Sequence, residues 1–365
     1  MSTSLHEFHH SLGARFTTLN GAEIVAGYGD ILAEHHALRI TAGVLDLSCR
    51  SRICIVGADR ARFLHGQVTN DVKKLVPGSG TYATVTTAKG KMEADLNIFC
   101  LADELLLDFE PGLTEKITQR LEKFIVADDV QIVDAAPHYG LLTVQGPRAA
   151  EVIRALGLPG DGEPPAKPFQ SLKIADAMLG ELYLVNLPRL GTSGFDLFVP
   201  NNSLGAVADK LIAAARQIGG RAVGWTAFEI ARIEAGLPRF GADMDETNIP
   251  LECGLEARAV SYSKGCYIGQ EVINRIHSVG HVNRELRGLR LADGLAALPL
   301  RGDKLFDAGK EVGYVTSAVY SPTLRANIAL GYVRREVNQA GKELLLHSSG
   351  GDGESVARIV SVPFI

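Results

Sequence analysis

Residues 156–171, LGLPGDGEPPAKPFQS, hold four prolines and three glycines, a density that neither a helix nor the interior of a sheet accepts. The chain must loop here, so what it builds on either side is assembled from separate groups of elements. Before the loop, SRICIVGADRARFLHGQVTNDV reads as a β-branched strand, a turn at Gly57-Ala58-Asp59, and a helix carrying Ala61, Phe63, Leu64 and Val68, with Asp59 as N-cap. TYATVTT, alternating Met92, Ala94, Leu96 and Ile98, and residues 105–109 follow as strands around turns at Lys89-Gly90-Lys91 and Ala102-Asp103. Pro111 opens a helix with Leu113, Ile117, Leu121 and Phe124 at helical spacing. After the loop, ELYLVNLPRLGTSGFDLFVP gives two strands, NNSLGAVADKLIAAARQIGG a helix closed by glycines, and FEIARIEAGLPRF a helix with Phe228, Ile230, Ile233 and Leu237 inward. The two halves look alike. From about Arg287 short strands and turns take over, a separate small antiparallel β domain.

A chain of 365 residues is too long for one ordinary core and has room for a buried ligand site. Its formal net charge of −5 provides no broad field for nucleic acid or anionic membrane. The first residues lack an apolar core of signal-peptide length, and no stretch approaches the roughly 20 apolar residues of a membrane helix. Five scattered cysteines without C-x-x-C argue against a disulfide framework and a zinc site, and reduced thiols suit the cytoplasm. His6, His9, His10, His35 and His36 fit solvated or capping roles better than a metal site, so none is assigned. The P-loop, the dinucleotide fingerprint, H-E-x-x-H and G-x-S-x-G are all missing, which excludes the common ATP, NAD, zinc-protease and serine-hydrolase motifs.

The octapeptide KGCYIGQE at 264–271 is the richest in chemistry. If residues 264–268 are extended, Lys264, Cys266 and Ile268 share one face, and the ammonium beside the thiol favours thiolate. Gly269 then caps a helix with Val272, Ile276 and Val279 as its apolar stripe, whose positive end acts in the same direction. Between Lys264 and Arg290 five cations face two carboxylates, so an anionic ligand can dock nearby. The alternative is a buried cysteine supporting a turn, and these residues alone leave both open. Cys49, Cys54, Cys100 and Cys253 read as structural.

KGCYIGQEVINRIHSVGHVNREL resembles the K-G-C-[YF]-x-G-Q-E signature of the YgfZ-like proteins, folate-binding factors for iron–sulfur proteins and tRNA modification, and AKGKM (88–92) looks like their strand-turn-strand motif. The wider chain is similar to the glycine-cleavage T-protein, an aminomethyltransferase, across LHEFHHSLGARF, GVLDLS, FLHGQVTNDV, RIEAGLPRFGADMD and GYVTSAVYSPTLRANIALGYV. The resemblance implies a three-lobed α+β chain with a central folate channel and a C-terminal antiparallel β-barrel. Its parts are two α+β halves of the folate-binding region, 1–155 and 156–285, and the barrel, 286–365.

The ligand it implies is tetrahydrofolate or a one-carbon derivative. Of the T-protein's paired acids, this chain keeps one, in Ala94-Asp95. GTSGFD puts Thr192 where the family's pterin-holding glutamate belongs, exchanging a charged acceptor for a hydroxyl. By the same resemblance Tyr82, Asp95, Arg189, Thr192 and Arg232 form the cofactor-binding set, and Cys266, Lys264 and Asp95 the catalytic one; the alternative for Arg232 is a structural ion pair with Glu234. Two functions follow: an accessory factor for iron–sulfur enzymes, with iron–sulfur client or assembly proteins as partners and no direct nucleic-acid or membrane contact, or a folate-dependent aminomethyl or N-methyl transferase.

Overall fold

The computed structural model describes residues 3–159, 163–349 and 353–365. The chain compacts into two interleaved units, residues 1–83 with 95–229, and residues 84–94 with 230–365. The three-part division read from the sequence cuts the chain in series, whereas these units exchange a segment.

The first unit is organised by two sheets. One has the strand order Ser79–Thr86, Met92–Cys100, Glu104–Phe109, Ser51–Val56, Gln131–Asp134. The other runs Ser171–Asp176, Gly180–Asn186, Gly194–Pro200, Tyr139–Gln145, Gly43–Asp46, Arg221–Ala222. In Met92–Cys100 the strand period of two puts Met92, Ala94, Leu96 and Ile98 in the core, which leaves Asp95 and Asn97 to the opposite face. Helix Leu204–Gln217 covers the second sheet, burying Leu204, Val207, Ala208, Leu211, Ile212 and Ala215 at helical spacing. It ends at Gly219, whose φ of +79° suits only glycine, followed by a bond from Gly220 N to Ala215 O.

Three local expectations change. Asp59 stands at the N-cap of Arg60–Gln67, but its carboxylate accepts from Asp129 N and Arg62 instead of capping the helix. The Pro111 helix begins at Thr114, burying Ile117 and Leu121, while Phe124 stays partly exposed under the Arg120 guanidinium. Ser171–Asp176 is an edge strand whose even mix of polar and apolar residues, directly after the proline-rich segment, concealed it. The described parts of the proline-rich segment are loop until Ser171; its residues 160–162 lie outside the described residues.

The second unit is built on a closed six-stranded antiparallel barrel, ordered Arg284–Leu291, Ala326–Arg334, Lys310–Ser321, Lys304–Asp307, Glu343–Ser348, Gly353–Val360. Leu289, Leu305, Val315, Val333, Leu346 and Ile359 fill its interior. The hairpin tip at 84–94 bonds to the segment before the barrel: Met92 N to Asn248 O at 2.9 Å, and Thr86 Oγ1 to Ile268 O at 2.6 Å. A Cβ on Gly269, where φ is +91°, would meet Thr87 O at 2.6 Å, so the second glycine of KGCYIGQE is the one residue that lets the tip seat. No helix among the described residues is long and apolar enough to cross a membrane.

Candidate functional site

Strand register gathers charge on one face of the first unit. Asn97 and Arg52 both stand opposite Asp108 on neighbouring strands, and Asn97 Nδ2 donates to Asp108 Oδ2 at 2.9 Å. Arg50 reaches Asp108 Oδ1 at 2.7 Å and Glu110 Oε1 at 2.6 Å. From the loop between two strands of the other sheet, Arg189 donates to Asp108 at 2.8 Å and grips Asp196 through Nε and Nη2. Burial alone would raise the Asp108 carboxyl, but the two guanidinium groups overcome it and hold it well below the usual carboxylate range.

Asp95 sits at the edge of this network. Its carboxylate accepts a hydrogen bond from Tyr82 Oη at 2.8 Å. Arg50, Arg52 and Arg189 supply three positive charges against Asp95, Asp108, Glu110 and Asp196, so one carboxyl is in excess. Burial, and then the neighbouring Glu110, push Asp95 above the ordinary aspartate value, while Tyr82 and Arg50 pull the other way. A carboxyl so placed can hold or accept a proton near a reacting amine, the property general acid–base work needs.

The residues expected at the site divide between the units. Tyr82, Asp95, Arg189 and Thr192 lie in the first; Arg232, Lys264 and Cys266 in the second. Tyr82 and Asp95 meet. Arg189, expected in the cofactor-binding set, is committed to Asp108 and Asp196 of its own chain. Thr192 Oγ1 is buried with no hydrogen-bond partner among the described residues. An unsatisfied buried hydroxyl costs stability unless a partner is supplied. Arg232 pairs with Asp243 at 2.6 Å and donates to Leu237 O at 2.8 Å; Glu234 instead accepts from Ser321.

The segment around Cys266 differs from an extended strand. Lys264 is buried with Nζ 4.6 Å from the Tyr267 ring centre, whereas Cys266 is exposed. The ammonium and thiol therefore do not share an environment, because residues 264–269 bend into a left-handed Gly269. In the helix that follows, Gln270–Val279, Ile273 is buried, the expected Val272 and Ile276 are half-buried beside it, and Val279 is 85 % exposed, so the apolar stripe gains Ile273 and loses Val279. The four other cysteines are buried or half-buried; Cys253 contacts Tyr332 Oη at 3.1 Å. Sequence reading missed Arg50, Asp108, Glu110 and Asp196, whose available signal was a charge inside apolar strand runs, as in LLLDFE and GFDLF.

Two packed sheets holding a buried arginine–carboxylate network, together with a closed six-stranded barrel, define the T-protein fold. Residues 5–264 match the GCVT N-terminal domain, and residues 284–365 the glycine cleavage T-protein C-terminal barrel domain. The chain is 30% identical over 355 residues to the aminomethyltransferase of Corynebacterium jeikeium, covering 93% of this chain and 90% of that one. It is 30% identical over 369 residues to the aminomethyltransferase of Symbiobacterium thermophilum, covering 99% and 96%. The crystal structure of the glycine cleavage system aminomethyltransferase T from Bartonella henselae aligns with a TM-score of 0.89 at 26% identity, over 100% of this chain and 98% of that one. The chain belongs to the glycine-cleavage T-protein, or aminomethyltransferase, family. That family uses tetrahydrofolate as its one-carbon carrier.

Proposed function

We propose that the chain is a cytoplasmic, tetrahydrofolate-dependent one-carbon transferase acting on an aminomethyl or N-methyl donor. The observation that carries this reading is Asp95, a proton-holding carboxyl oriented by Tyr82 within a chain that matches aminomethyltransferases end to end. Bound tetrahydrofolate supplies the amine nitrogens that take up the one-carbon unit. Asp95 accepts or holds the proton on that amine, Tyr82 orients the carboxylate, and Thr192 offers its hydroxyl to the pterin edge. Arg50 and Arg189 keep Asp108 ionised, whereas burial raises Asp95, whose hydrogen bond is to the neutral hydroxyl of Tyr82.

The direct test is incubation with tetrahydrofolate and an aminomethylated lipoyl carrier, or with N-methylglycine, followed by detection of methylene-tetrahydrofolate. Turnover with either donor supports the reading; folate binding without turnover on both goes against it. Tyr82→Phe removes a hydrogen bond that favours ionised Asp95, so its carboxyl rises further. The acid limb of the turnover profile should then move to higher pH, and an unmoved limb would count against Asp95 as the titrating group.

A second reading has its own support. Cys266 is the exposed member of the five cysteines, within a signature resembling the YgfZ-like accessory factors, and Ala94 stands where the T-protein's first acid would be. On this reading the chain holds folate while the thiol serves an iron–sulfur client, including one that modifies tRNA. A single thiol supplies one ligand where a cluster takes about four, so a client must provide the rest. Cys266→Ala should then abolish rescue of a strain lacking the factor while methylene-tetrahydrofolate formation is nil in both proteins; full rescue by the variant would end the thiol role.

A further inference from the structure

At one end of the barrel a groove of about 630 Å³ opens between the first residues of Arg284–Leu291, the start of Lys310–Ser321 and the end of Ala326–Arg334. Its volume is within the range of small-molecule sites. Register places Arg284 directly opposite Arg334, an arrangement that costs stability because like charges face each other across adjacent strands. The next residue, Arg335, also lines the groove, and its side chain has no ion-pair partner among the described residues. His281 and Asn283 stand at the same mouth.

The groove's two carboxylates do not neutralise these arginines. Glu311 is held by Lys304 at 2.9 Å, and Glu336 is shared at long range by Lys310 at 3.7 Å and Arg334 at 3.8 Å. Arg284 shares Glu252 at 3.4 Å and lies 5.0 Å from the Tyr332 ring centre, which fixes the guanidinium plane. Gly313 keeps the floor low, since a Cβ there would meet Tyr332 O at 2.1 Å. Three arginines thus line one cavity in a chain whose net charge is −5. Planar guanidinium forks match carboxylate and phosphate oxygens in pairs, whereas a lone positive surface patch would not need opposed arginines.

We propose that this groove binds a small multivalent oxyanion, a molecule carrying two or more carboxylate or phosphate groups bridged across Arg284, Arg334 and Arg335. All the residues of the groove belong to the second unit, and the proposal stands whichever reading of the Asp95 network holds. The experiment is isothermal titration of the full chain with citrate and, in a second arm, tripolyphosphate, at low and at physiological salt; the tighter probe identifies the anion chemistry. Wild type should bind at least one probe with a submillimolar Kd that weakens as salt rises. Arg335→Gln and Arg334→Gln should each weaken it at least tenfold, while Arg290→Gln, outside the groove, should not. Arg335→Gln removes no ion pair among the described residues and should melt no lower than wild type, so lost binding is not lost folding. Binding of neither probe below about 10 mM, or equal weakening by Arg290→Gln, would overturn the proposal.

Discussion

Asp95→Asn is expected to stop one-carbon turnover and to raise the melting temperature at neutral pH. The variant keeps the shape and can still accept from Tyr82, so the network loses only a titrating charge. A positioned acid–base group contributes about 10²- to 10⁴-fold, and turnover should fall by at least the lower figure. The stability effect follows from the raised carboxyl. A group whose folded value lies above its unfolded one binds its proton more tightly in the folded state. The stability it lends is full below the ordinary aspartate range and is lost as pH rises through the folded value. Asparagine has no such loss, so the variant's advantage should grow as pH rises from the ordinary aspartate value through the folded one. Thermal melts across that range, beside the methylene-tetrahydrofolate assay, check both halves. A variant that turns over normally would remove Asp95 from the chemistry, and one that melts lower at neutral pH would contradict the direction of its shift.

Asp108→Asn should have the opposite character. Asp108 lies between Arg50 and Arg189 with no exposed surface. Neutralising it leaves two buried guanidinium groups short of charge, and removing one partner of such a group costs about 3–5 kcal/mol. Its carboxyl is depressed, so its contribution is present above the ordinary aspartate range and is lost only as pH falls through the folded value. Urea denaturation should therefore show a gap between wild type and variant that is constant from about pH 5 to 8 and closes only in strong acid. A gap under about 1 kcal/mol would mean that the network is far better hydrated than its burial indicates.

The sequence was legible wherever one residue's neighbours determine its behaviour. Alternation in Met92–Cys100 identified the buried face, the closing glycines marked the end of Leu204–Gln217, and the texture after Arg287 announced a small antiparallel β domain, which the family resemblance made a barrel. Contacts set by register or by loop closure were not legible. Nothing local says that Asn97 lies opposite Asp108, or that the loop carrying Arg189 reaches the same carboxylate. The suggested Arg232–Glu234 pair failed for a simple reason: residues two apart on a helix point to different sides, and the partner, Asp243, comes from the chain beyond the helix. At Lys264 and Cys266 a period of two was assumed where a turn interrupts it, so one side chain is buried and the other exposed.

The exchange of residues 84–94 into the second unit also constrains how the chain is made. Ribosomes release that hairpin tip more than a hundred residues before the segment that receives it, a delay of about ten seconds or more at ordinary synthesis rates. Through that interval Met92 and Ala94, fully buried in the finished protein, have no native surface to pack on. The nascent chain is then a natural client for a chaperone. A gene cut near residue 229 would yield a first fragment with a sticky tip and a second lacking part of its core.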